Sequence, residues 1–290
     1  MLRSELLRLF SSRATIAVLV VVLAEAVLGG LGAAFLPALV SGLVSLNDVI
    51  PNATQADQMS TAGLSALGID RLPVQASVVD LAGGFGLGIS VAALGVVVLG
   101  ALSVTGEYRR GSIVSSVLAQ PSRVRLLITK TGALTLVVLG LCVPLAVIKA
   151  AVLIIGLTVQ DTTLSMSLPE IAGLWSRGVV ALVLLALVGM GLGHLVRSSV
   201  AGLVIIFGML LVESSLRPLS ALVTGGVTAL NFLPFGLLAD AVRGPGLLGE
   251  TAVSVSVGVM AGLLALFAWA AVVFVAGAWR FVRRDMPMLT

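Results

Sequence analysis

The sequence is poor in everything a protein needs to face water. Charged residues fill only 10% of its 290 positions and aromatics 4%, with one cysteine, Cys142, and one histidine, His194. A soluble domain carries roughly a quarter of its residues as charge, so the scarcity here excludes an ordinary water-solvated surface. One cysteine leaves no disulfide, and one histidine beside it leaves no metal-ligand set of the usual spacing. No nucleophile with its base and no carboxylate pair stands out, so neither catalytic residues nor a metal site are assigned. The pattern G-x-x-x-x-G-K-[ST] is also missing, which removes ATP binding through a P-loop and leaves the chain with no cofactor of its own. Gly84, Gly86 and Gly88 of "GGFGLG" look nucleotide-like, but no strand precedes them and no acid follows at the dinucleotide-fold distance. Close helix packing is the reading they support.

What the chain has is hydrophobic length. Apolar residues make up 59% and the mean hydropathy is +1.18, and several runs exceed the ~20 residues that cross ~30 Å of hydrocarbon. The expectation is an all-α polytopic membrane protein, residues 1–290 forming a single transmembrane domain. Its six spans are expected at about 14–45, 81–103, 131–158, 174–196, 199–216 and 252–278. The first run follows Arg3, Arg8 and Arg13 as a signal peptide would, yet it far exceeds the ~7–15 residues of such a segment's apolar core. It is expected to remain in the mature chain. In "MLRSELLRLFSS", residues 1–12, Leu2, Leu6, Leu9 and Phe10 share a helical face while Arg3, Ser4 and Arg8 occupy others. That pattern suits an interfacial amphipathic helix, with a frayed basic tail as the alternative.

Twelve of the seventeen Lys and Arg fall on the side that holds both termini: Arg3, Arg8, Arg13, Arg109, Arg110, Arg123, Arg125, Lys130, Arg197, Arg280, Arg283 and Arg284. By the positive-inside rule that side is cytoplasmic. The opposite loops carry Asp48, Asp57, Asp70, Asp161, Glu170, Asp240 and Glu250. The basic excess is thus a membrane-topology signal, and no nucleic-acid partner is expected. Residues 219–242 are apolar enough for a seventh span, but Gly225, Gly226, Asn231 and Pro234 would expose unpaired backbone groups to lipid. Short re-entrant or outer helices within 217–250 are expected instead.

Four ionisable residues fall inside spans, where each is expensive unless it faces protein or water. At ~1.5 Å per residue, Glu25 lies ~18 Å past Arg13, Lys149 ~28 Å past Lys130 and Glu213 ~24 Å past Arg197. Lys149 and Glu213 share a depth, which allows an ion pair between spans three and five, structural or at an outer gate. His194, one turn before Arg197, reads as an interfacial histidine with a satisfied ring, or else a proton relay. Glu25 either faces a transport path or is a buried hydrogen-bonded carboxyl.

One extended stretch is polar: "SVTGEYRRGSIVSSVLAQPSRVRLLITK", within residues 104–130 apart from its first serine. Gly111 breaks the arriving helix, Ser112 can cap a new one, and Pro121 ends it after about eight residues. Ile113, Val114, Val117 and Leu118 share one face of that short helix; Ser115, Ser116 and Gln120 occupy much of the rest. Pro121 and Ser122 then restart a helix whose first turns carry Arg123, Arg125 and Lys130. An ordinary hairpin loop with positive-inside charges is the plain alternative. As a knob gripped by a partner, the segment has Ile113, Val117 and Leu118 as its buried anchor, with Glu107, Arg109 and Arg110 at the rim.

Glu107, Tyr108, Arg109, Arg110, Gly111, Ser112, Pro121, Ser122, Arg123 and Lys130 resemble the cytoplasmic segment of ABC-2 type transporter permeases. There the pattern is Glu, aromatic, basic pair, Gly, Thr or Ser, then Pro-Ser-Arg and a Lys opening the third span. "VRSSVAG" and "NFLPFGLLADA" extend the likeness loosely over most of the chain, and Ser112 stands where Thr is commoner. The resemblance implies a six-helix half-transporter of the type V exporter fold in a bacterial cytoplasmic membrane, with this stretch as its coupling helix. It further implies a separate ABC ATPase subunit holding ATP and Mg, a second permease copy or paralogue, and a hydrophobic or amphipathic substrate such as a drug, antimicrobial, lipid or peptide. A proton-coupled secondary transporter using Glu25, Lys149 and His194 is the alternative, though no internal repeat is visible and those charges lie at unequal depths.

The charge census predicts that tags at residues 1 and 290 both resist protease added to intact cells, while a tag between Ala53 and Ser65 is cut. Protection of only one terminus would mean an odd number of spans.

Overall fold

Where lipid replaces water, an apolar run can satisfy its backbone only by coiling into a helix, and the long runs of this chain do so. The structure is a computed structural model describing residues 2–47, 68–83, 90–110, 122–196, 198–224, 226–244 and 256–283. Among the described residues there is no strand. The helices are α1 (Leu2–Ser11), α2 (Arg13–Asn47), α3 (Leu72–Val79), α4 (Val91–Arg110), α5 (Arg123–Val159), α6 (Leu168–Val196), α7 (Ser199–Thr224), α8 (Leu237–Val242) and α9 (Val259–Arg283), with a 3-10 turn at Ala229–Phe232 before α8. Six of them, α2, α4, α5, α6, α7 and α9, are long and apolar enough to cross a membrane, the number expected from the sequence.

The boundaries shift where local chemistry overrides hydropathy. The second span was expected to begin at residue 81, but residues 80–83 are not helical. Asp80 ends α3 in an extended conformation, and its Oδ1 accepts the Ala82 N–H at 2.9 Å. Gly83 follows because a Cβ there would lie 2.7 Å from Asp80 Oδ2. The helix itself starts only after Ser90, whose hydroxyl accepts the Ala93 N–H at 3.0 Å, a normal N-cap. Ser122 caps α5 in the same way through Arg125, so the third span's helix begins eight residues before its apolar part. α6 begins at Leu168 rather than 174, with Glu170 accepting both the N–H and the hydroxyl of Ser167. α7 runs on to Thr224, and α9 lies several residues later than expected, so that Arg280 and Arg283 are helical. Between α7 and α9 lie the 3-10 turn and α8. Gly84, Gly86 and Gly88 lie outside the described residues.

The centre of the bundle is α6, packed chiefly against α4 on one side and α9 on the other. Side chains are absent from these contacts where the backbones meet. A Cβ on Gly189 would collide with the Val97 carbonyl of α4, and one on Gly100 of α4 with the Ala186 carbonyl of α6. Gly193 faces Ala101 of α4, while Gly191 and Gly277 bring α6 against α9. Small residues at helix crossings are how membrane helices gain contact when no hydrophobic drive separates them from lipid. Around this spine Leu182, Leu185 and Met190 of α6 pack with Val96 of α4 and with Leu134 and Leu145 of α5. Leu28, Val143, Leu211 and Val272 point outward, giving the bundle the greasy perimeter that lipid covers.

α3 is set beside the spans by one buried amide. Gln75 Nε2 donates to the carbonyls of Ile69 (2.9 Å) and Thr163 (3.1 Å), and its Oε1 accepts the Ser165 N–H at 2.9 Å. The α5–α6 link therefore fixes where α3, and Asp80 at its end, must lie.

Gly100→Ala should lower thermal stability in detergent by about 3 kcal/mol or more, because backbone atoms rather than a flexible side chain occupy the space. Gly140→Ala, where a Cβ meets nothing within 4 Å, should be neutral or stabilising by about 0.5 kcal/mol. Circular dichroism melts of the two variants make the comparison.

Candidate functional site

Two groups of charged side chains lie within the bundle, one at each end. At the α1 end, Glu5 and Arg8 of α1 meet Glu107 of α4 and Lys130 of α5. Lys130 Nζ lies 3.1 Å from Glu5 Oε1. Lys130 and Arg8 both pair with Glu107, and Arg8 also pairs with Glu5 on its own helix. Glu107 is 1% exposed and Lys130 5%. The position is reached because Leu9 of α1 is buried against Ala133 and Val137 of α5, with Leu6 beside it. Leu2, Leu7 and Phe10 remain exposed, so the apolar face expected of α1 is split between protein and surroundings.

Glu107 was expected at the rim of a docking knob. The structure buries it instead, because a carboxylate flanked by two cations is best placed where their attraction is least screened. Tyr108 packs with Leu126 and Phe281, joining α4, α5 and α9 just below this junction. Arg109 and Arg110 fall in the last turn of α4 and Arg123 in the first of α5. Gly111, Ser112, Ile113, Val117, Leu118 and Pro121 lie outside the described residues. His194 is buried, its ring 5.0 Å from that of Phe281 and tilted by 51°. It joins α6 to α9 within the packing.

At the opposite end Lys149 of α5 interacts electrostatically with Glu25 of α2 and with Asp80. Arg243, just past α8, places Nε 3.2 Å from Asp80 Oδ2, but neither atom completes an aligned hydrogen bond. One turn earlier Asp240 accepts Arg217 of α7 at 3.0 Å. Glu213, one turn from Arg217, accepts the backbone N–H groups of Phe235, at 3.1 Å, and of Gly236. A Cβ on Gly236 would meet the Arg217 guanidinium and sit 2.7 Å from Glu213 Oε1, so a larger residue there would require those two side chains to shift. Burial pushes the Asp80 carboxyl above its ordinary range, while Arg243 and the Ala82 N–H act to lower it.

The pairing of Lys149 with Glu213 inferred from depth is thereby corrected. Equal depth fixes height along the bundle but not the direction a helix faces: α5 packs chiefly on α2, with α1, α3 and α6 beside it and lighter contact to α4 and α9, whereas α7 packs on α4 and α6. Lys149 accordingly finds Glu25, and Glu213 finds its own short helix.

A further concavity of about 230 Å³ opens between α2, α4 and α7, lined by Val18, Val22, Leu94, Val98, Leu203 and Phe207 among other apolar residues. Glu25 is not among its lining residues.

Sequence reasoning missed Asp80, Arg217 and Arg243 and read Asp240 as a loop acid. The available signal was "LLADAVRG", where an acid and a base three apart in an apolar stretch mark one helical face turned inward. It also missed Gly189, Gly191 and Gly193 of α6, a glycine repeat with the same spacing as the one it noticed.

No known family model matches the chain, and no curated protein matches it. Among the described residues no group of His, Cys, Asp and Glu is arranged to hold a metal ion.

Glu107→Gln and Lys130→Met should each destabilise the protein in detergent by about 3 kcal/mol, because each strands a buried charge. The double variant should recover part of that loss. Strictly additive losses in a double-mutant cycle would show that the two do not act as a pair.

Proposed function

We propose that the chain is the membrane-spanning permease subunit of an ATP-binding cassette exporter. It moves a hydrophobic or amphipathic substrate outward across the cytoplasmic membrane, both termini on the cytoplasmic side, using ATP hydrolysed with Mg on a separate ATPase subunit. A second permease copy or paralogue completes the transporter. α1 lies along the cytoplasmic interface, and the 3-10 turn and α8 form an outer re-entrant region.

The reading rests on residues 107–130, whose pattern of Glu, aromatic, basic pair, Gly, hydroxyl and Pro-Ser-Arg resembles the ATPase-coupling segment of ABC-2 permeases. The geometry around that segment supports a role in passing force into the bundle. Its two ends, Glu107 and Lys130, are tied together and to α1 inside the bundle, so a push on the segment reaches α1, α4 and α5 at once. An apolar concavity of about 230 Å³ between three spans suits a greasy substrate better than an ion.

The alternative, a proton-coupled secondary transporter, draws its support from the charged cluster around Lys149. The two readings separate in reconstituted vesicles: the exporter requires a co-purifying ATPase and ATP, whereas the secondary transporter runs on a pH gradient alone.

Val117→Asp is the sharper probe of the exporter reading. Forcing an unpaired carboxylate into the apolar anchor of the segment should lower co-purification of the ATPase at least about tenfold and abolish substrate-stimulated hydrolysis, with membrane insertion unchanged. Unaltered coupling in this variant would reduce the segment to a solvated loop.

A further inference from the structure

The two buried clusters differ in their balance of charge. At the α1 end two carboxylates, Glu5 and Glu107, face two cations, Arg8 and Lys130. At the α8 end Lys149 from α5 interacts with Glu25 from α2 and with Asp80 after α3, which pairs with Arg243; three residues before Arg243 on the same segment, Asp240 pairs with Arg217 of α7, which also acts on Glu213. Four carboxylates there face three cations.

The missing cation has few places to come from. Beyond the twelve bases on the terminal side, the sequence holds only Arg71, Lys149, Arg177, Arg217 and Arg243. Arg71 is exposed. Arg177 of α6 donates its Nε to the Gly173 carbonyl of its own helix at 3.1 Å. Residues 48–67, 84–89 and 245–255 contain no Lys or Arg, so none of those segments can supply the missing charge.

An uncompensated carboxylate buried this deeply is costly and takes up a proton instead. Asp240 is fully buried, and its Oδ1 has no hydrogen-bond partner. Asp80 Oδ2, 1% exposed as a residue, likewise completes no hydrogen bond. Asp80 Oδ2 lies beside the Arg243 Nε, whereas Asp240 Oδ1 is left with no donor. Asp80, Ser90 and Arg243 also line a cavity of about 50 Å³, large enough for a water molecule and hence for delivery of a proton.

From this geometry we infer that the cluster joining Glu25, Asp80, Glu213 and Asp240 to Lys149, Arg217 and Arg243 is a proton-binding site holding one exchangeable proton per chain. The step is a simple association: a proton from water in the cavity adds to one carboxylate of the set, giving a neutral carboxyl, and the reverse returns it. The proton belongs to the set rather than to one residue, because Glu25 and Asp80 both act on Lys149, and Asp240 and Glu213 both act on Arg217. The site stands whether or not the chain is an ATP-driven permease.

Infrared spectroscopy of the purified full-length chain in lipid nanodiscs reads the inference directly, through the carbonyl stretch of a neutral carboxylic acid and its shift in D2O. The wild type at neutral pH should show one such group per chain. Asp240→Asn and Glu213→Gln each bring the cluster to three carboxylates and three cations, and each should lose the band. Arg217→Gln should add a second neutral carboxyl, while Arg71→Gln and Arg177→Gln should leave the signal at one. No neutral carboxyl in the wild type would overturn the inference, as would a band surviving in both amide variants. A gain in Arg177→Gln would overturn it too, by placing that guanidinium in the cluster. The amide substitutions are nearly isosteric, so the conclusion stands on them even if Arg217→Gln does not fold.

Discussion

The arrangement depends on the contact of α6 with α4 and α9 at backbone distance. Glycine at positions 100, 189, 191, 193 and 277 lets three helices approach without side chains between them. Inside lipid this is a main source of attraction available to helices, because their apolar side chains gain little by leaving one hydrocarbon environment for another. With the spine so tight, nothing bulky or polar fits along its glycine contacts. His194, next in sequence to Gly193, lies against Phe281.

The remaining charge is thereby pushed to the two ends of the bundle. Each cluster forms where a short helix meets the spans: α1 brings Glu5 and Arg8 to Glu107 and Lys130, and α8 brings Asp240, with Arg243 just beyond it, to Arg217 and Asp80. α1 fully buries only Leu9 among its apolar side chains, so its ion pairs carry much of its attachment, whereas α8 is held by packing as well, burying Leu237, Leu238, Ala241 and Val242 beside Asp240.

How much of this was legible in the sequence depended on the range of the interaction that decides it. Span number follows from runs of apolar residues along one segment, and six was read correctly. The helix start at Arg123 was legible because Ser122 is a local cap. The break at Asp80 was not anticipated, since it needs an aspartate folding back on Ala82 and a glycine beside it, a conformation hydropathy does not see. Lys149 and Glu213 were recognised as costly residues needing partners, but the partners were chosen wrongly. Depth is written in one dimension, whereas the side a helix presents is set by which neighbours it packs on. Glu107 shows the same limit in reverse: its place in a polar stretch suggested exposure, and a helix a hundred residues away in sequence buries it.

The same electrostatic rule then acts differently at the two ends. A carboxylate in a low-dielectric bundle must find a cation, accept several donors or become neutral. Glu107 finds two cations, and Glu213 finds two backbone N–H groups beside Arg217. Asp240 has one guanidinium, and Arg217 also serves Glu213. The cluster cannot resolve that shortage by recruiting a side chain, since Arg71 is exposed and Arg177 bonds to its own helix. Nor can it move a carboxylate to the surface, because Asp80, Glu213 and Asp240 hold the 226–244 segment against α3 and α7. Neutralisation is what remains, and it leaves the pairings intact only while the proton stays bound.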